Sequence, residues 1–63
     1  MTRDRFLASL ELLGSNASRA DRLIGIGRSS VYRIIRGKAE VPEVVQRLLD
    51  MYERFGIPEE HRP

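Results

Sequence analysis

Arginine carries most of the chemical capacity of this chain, and its distribution is uneven. Between residues 15 and 38 stand Arg19, Arg22, Arg28, Arg33, Arg36 and Lys38 against Asp21 alone, a net +5 in a chain whose formal net charge is +2. Residues 1–14 balance to 0, and residues 39–63 sum to −3. A guanidinium presents parallel N–H donors that match paired acceptors, such as two phosphate oxygens or O6 and N7 of guanine. In the same segment Ser29 and Ser30 can each donate or accept, and Tyr32 joins a ring to a hydroxyl. The chemistry on offer is recognition of a polyanion by hydrogen bonds. Bond-making chemistry has no comparable support. His61 is the only histidine and sits in a Pro-Glu-Glu-His-Arg-Pro tail, where it reads as a solvated residue. The later carboxylates line the outer side of one amphipathic segment without a concave site, which disfavours paired acid–base catalysis. There is no cysteine, so neither a disulfide nor a thiolate metal site is available. Gly25 and Gly27 lack the preceding strand and the rest of a phosphate-loop motif. The expectation is a non-enzyme without metal, cofactor or small-molecule ligand.

The elements that must position these side chains are all helical. Every apolar segment follows a spacing of three and four, and none alternates as a strand would. Glycine and proline divide the chain into four helices. The first spans residues 3–13, capped by Thr2, with Phe6, Leu10 and Leu13 as a buried stripe and Gly14 as its stop. The second spans residues 17–24, capped by Asn16 or Ser15, with Ala20, Leu23 and Ile24 facing inward. Gly25-Ile26-Gly27 then makes a sharp turn with at least one positive φ. The third spans residues 28–36, with Val31, Ile34 and Ile35 apolar and Gly37 closing it. The fourth spans residues 42–55, opened by Pro42 and ended by Gly56 and Pro58.

Two short helices joined by a three-residue glycine turn, the second of them basic, form a helix-turn-helix pattern. Residues 16–37 resemble the Cro/repressor-type helix-turn-helix of phage and bacterial regulators. The chain as a whole is similar to compact phage repressors such as the anti-CRISPR-associated group. In that resemblance Gly25 falls on the turn glycine and Ile26 on the apolar plug between the helices. Val31 and Ile34 fall on core positions of the recognition helix. Arg28, Ser29, Tyr32, Arg33 and Arg36 fall on positions that face DNA. One position departs: the family carries a small residue four before the turn glycine, and here that residue is Asp21, with Ala20 one step earlier. Either the helices pack slightly differently, or Asp21 is paired, with Arg28 or with the amide-rich start of the third helix.

The residues alone support the same assignment. A major groove admits one α-helix, whose donors must lie opposite its core face. Arg28, Ser29 and Arg33 are therefore expected on base edges. Asn16, Ser18, Arg19, Ser30, Tyr32, Arg36 and Lys38 are expected on the phosphate backbone, the first two aided by free amides at a helix start. The apolar residues of the fourth helix cover an arc of roughly 160°, wider than the ~100° that packing on one core needs. The surplus, at Leu49, Met51, Tyr52 and Phe55, is expected to face a second copy. At 63 residues the chain is short enough to gain from association. The full expectation is an all-α domain over residues 1–63. It acts in the cytoplasm, free of membrane, as a homodimeric repressor on double-stranded DNA with an inverted-repeat operator. The runner-up is a protein-interaction module, such as an antitoxin or adaptor, working through the apolar last helix.

Overall fold

Thr2 starts α1 (Arg3–Leu12) by accepting the Arg5 amide on its hydroxyl at 3.1 Å, which satisfies one orphan donor of the first turn. The coordinates are a computed structural model and describe residues 1–62, so Pro63 of the expected domain lies outside them. Phe6, Ser9 and Leu10 form the buried face of α1, with Leu13 packed beside them.

The second helix is shorter than expected. α2 spans Ala20–Ile24, and residues 17–19 are turns. The cause is local. The Asn16 side-chain oxygen accepts the amides of Ser18 and Arg19, each at 3.1 Å, and the Ser18 hydroxyl at 2.8 Å. These are the contacts of an N-cap, as the sequence suggested, but the backbone behind it closes on a three-residue bond, Arg19 N–H to the Asn16 carbonyl at 3.1 Å, in place of a first α-helical turn. Ala20 behind it is fully buried, as are Leu23 and Ile24 almost completely. Of the two turn glycines only Gly25 needs its freedom, with φ +72°, while Gly27 enters the next helix at φ −63°. Ile26 between them packs partly buried against the core.

α3 (Arg28–Ile35) buries Val31 and Ile34 and stops at Gly37, whose φ of +75° lets two amides turn back. Gly37 N–H donates to the Ile34 carbonyl at 3.0 Å and Lys38 N–H to that of Arg33 at 2.8 Å, a paired closure of the helix end. α4 (Glu43–Phe55) follows, with Pro42 as its cap and not its first residue. A short 3-10 turn at Glu59–His61 ends the described chain.

The four helices pack in a cycle: α1 on α4, α4 on α2, α2 on α3, and α3 on α1. One core of eleven buried apolar residues fills the centre. α4 meets two neighbours in this cycle, which cover Val45, Leu49 and Tyr52 on the inner part of its apolar arc. Leu49 is 0% exposed and Tyr52 6%, which corrects the expectation that they face a second copy. Met51 and Phe55 do lie outside, with Val44. Ser9 is also fully buried, and its hydroxyl donates to Glu53 at 3.1 Å, while Arg5 grips the same carboxylate at 3.2 and 3.3 Å. That trio ties α1 to α4. Asp21 forms no ion pair among the described residues, and Ala20 takes the close-packed position one step earlier. Among the described residues no helix is long and apolar enough to cross a membrane.

Candidate nucleic-acid interface

The outward face of α3 follows from the face it buries. At about 100° per residue, Ser29, Arg33 and Arg36 fall within roughly 60° of one another, opposite Val31 and Ile34. All three are exposed. Tyr32 is half-buried at one flank, Ser30 is exposed at the other, and Lys38 is exposed just past the helix end. These side chains form a row of donors on a rigid element, with no acidic residue inside the helix.

Arg28 stands apart from that row. By the same rotation it lies only about 60° from Val31, toward the body of the domain. Its guanidinium donates to the Ser18 carbonyl at 3.2 Å, which bridges the start of α3 to the turn before α2. To reach a base edge it would first have to release this bond. Asn16 and Ser18 are likewise committed locally. The amides of Ser18 and Arg19 point into the Asn16 side-chain oxygen, so they are not the free donors that the sequence suggested.

The structure brings together a group the sequence reading left scattered. Arg19, Arg22 and Arg28, with Ser18, border a cleft of about 340 Å³ whose far wall is His61 and Arg62. Within the tail Arg62 folds back, its Nε donating to the Ile57 carbonyl at 3.2 Å. Arg22 had a signal, since it follows Arg19 by three and so shares its helical side. His61 and Arg62 had none, because the spacing of a Pro-bounded tail does not say where it folds. A second, smaller cleft of about 190 Å³ sets Glu40 beside Ser30 and Arg33. Among the described residues no cluster of three or more His, Cys, Asp or Glu side chains is placed to hold a metal ion. Comparison with family models, with curated proteins and with solved structures gave no match to this chain.

Proposed function

We propose that this chain is a sequence-specific double-stranded DNA-binding protein of helix-turn-helix type, with α2 and α3 as the two helices, acting as a dimeric transcriptional repressor. The observation that carries the reading is the exposed row Ser29, Arg33 and Arg36 on a helix whose opposite face is buried, within a segment of net +5. One helix with outward donors fits a major groove, and arginine fits guanine there. Ser29 and Arg33 are assigned to bases. Arg28, first expected on a base, is reassigned to the backbone because its guanidinium is held at Ser18. Arg19, Tyr32, Arg36 and Lys38 serve phosphates, which position the helix without reading sequence.

A single recognition helix reads few base pairs, so useful specificity calls for a second copy. The outer side of α4 is suited to it. Val44, Leu48, Met51 and Phe55, spaced four, three and four apart, form one stripe, and Val44 and Phe55 are 77% and 80% exposed. Beside it runs the row Glu43, Arg47, Asp50 and Arg54, alternating in sign. Laid antiparallel on itself, that row sets Glu43 against Arg54 and Arg47 against Asp50. The stripe then opposes Val44 with Phe55 and Leu48 with Met51. α3 and α4 each pack chiefly on α1 and α2, so the outer stripe of α4 and the basic row of α3 belong to separate helices. The same stripe is what an interaction module would use. Selection of bound duplex from a random pool separates the two: a repressor enriches an inverted repeat, and enrichment of nothing above input rejects the proposal.

A further inference from the structure

Resting on the DNA-binding reading, we infer that the cleft between the α2 turn and the C-terminal tail is a seat for one phosphate group, normally a phosphate of the bound duplex. Three guanidinium groups, Arg19, Arg22 and Arg28, border it from the body of the domain, and Arg62 borders it from the tail. Four cationic side chains on one cleft favour an anion, since each guanidinium offers charge-assisted donors. The groups have no carboxylate to satisfy them: none of the four ion pairs of the described residues involves Arg19, Arg22, Arg28 or Arg62. Nor does any acidic side chain border the cleft. A volume of about 340 Å³ admits a phosphodiester with its ordered water.

Position gives the seat its role. Arg28 opens α3, one residue before Ser29, so a phosphate held here lies at the edge of the groove that α3 would read. Arg62 commits only its Nε to Ile57, which leaves its two terminal nitrogens for the ligand. The tail therefore acts as a clamp on the backbone, remote in sequence from the recognition helix and independent of base identity.

The test uses the full chain and two variants of it. Arg62→Ala should weaken binding to every duplex alike, by about three- to tenfold at low salt, and lower the salt slope by about 1 without altering base preference. The double variant Glu60→Gln with Arg62→Ala restores the net charge. It should remain as weak as Arg62→Ala if the seat matters, and recover if only overall charge does. Inorganic phosphate alone, followed by amide shifts of Ser18, Arg19 and Arg62, should saturate in the wild type and not in Arg62→Ala. Wild-type affinity and slope in Arg62→Ala, or recovery in the double variant, overturns the backbone clamp. If the wild type binds no duplex at all, the DNA reading fails, and the phosphate titration decides the seat: local saturation retains it for a free phosphate, and no shift removes it.

Discussion

Under the proposed function, single side chains divide into those that read and those that hold. Arg33→Ala should cost about 1–3 kcal/mol on the cognate site and relax preference at one base pair, because a bidentate contact to guanine is lost. Arg28→Ala should weaken all sequences together, since its guanidinium sits at Ser18 and the basic cleft and not on the outer row. Anisotropy titrations against the cognate duplex and its single-base variants measure both. Equal loss of base preference in the two variants would return Arg28 to the groove. The buried trio behaves differently. Removing the Ser9 hydroxyl leaves Glu53 with Arg5, so Ser9→Ala should cost about 0.5–1.5 kcal/mol of folding stability. Glu53→Ala strands the fully buried hydroxyl, and should cost more, about 1–3 kcal/mol. The half-exposed Arg5 adds little to either figure, because water screens its pairing. Urea unfolding of both variants checks the order.

The helices were legible because their signals are local. Thr2, Gly37 and the spacing of Phe6 and Leu10 each act within one or two turns, and α1, α3 and α4 end within a residue of expectation. The start of α2 was not legible, because the turn behind Asn16 closes on a three-residue bond from the Arg19 amide to the Asn16 carbonyl, which apolar spacing does not distinguish from a first α-helical turn. Ser9 sits on the same side as Phe6 and Leu10, yet a serine adds nothing to an apolar pattern, and its partner Glu53 lies 44 residues away. Two of the seam residues on α4, Leu49 and Tyr52, were misplaced for a related reason. The inner part of the apolar arc is covered by α1 and α2 of the same chain, and spacing does not say where along the arc that cover ends. The turn offers a clean test. Gly25→Ala should destabilise by about 1–2 kcal/mol from its positive φ alone, since a Cβ there meets nothing within 4 Å. Gly27→Ala, at an ordinary φ, should stay within about 0.5 kcal/mol of wild type. Equal effects in urea unfolding would mean the turn is built otherwise.

At the scale of the whole molecule, the described residues measure 30 × 18 × 18 Å, and under the proposed function a subunit of that size must act in pairs to read a useful length of DNA. Phe55→Glu or Met51→Glu should give a folded monomer by sedimentation, because both side chains are exposed and contribute little to the core. A folded dimer in both variants would move the seam off α4. A closed pair of identical chains most often has two-fold symmetry, so the operator should be an inverted repeat with half-site centres about 34 Å, or roughly 10–11 base pairs, apart. Five base pairs inserted at its centre would turn the half-sites to opposite faces and should abolish cooperative binding. All of this rests on whether the basic row meets DNA, and a titration of the wild-type chain against a duplex at 50 and 200 mM salt asks that directly. With four cationic phosphate contacts assigned to each copy of a dimer, affinity should fall by about a thousand- to a hundred-thousandfold across that range. No binding at either salt concentration would contradict the DNA-binding assignment.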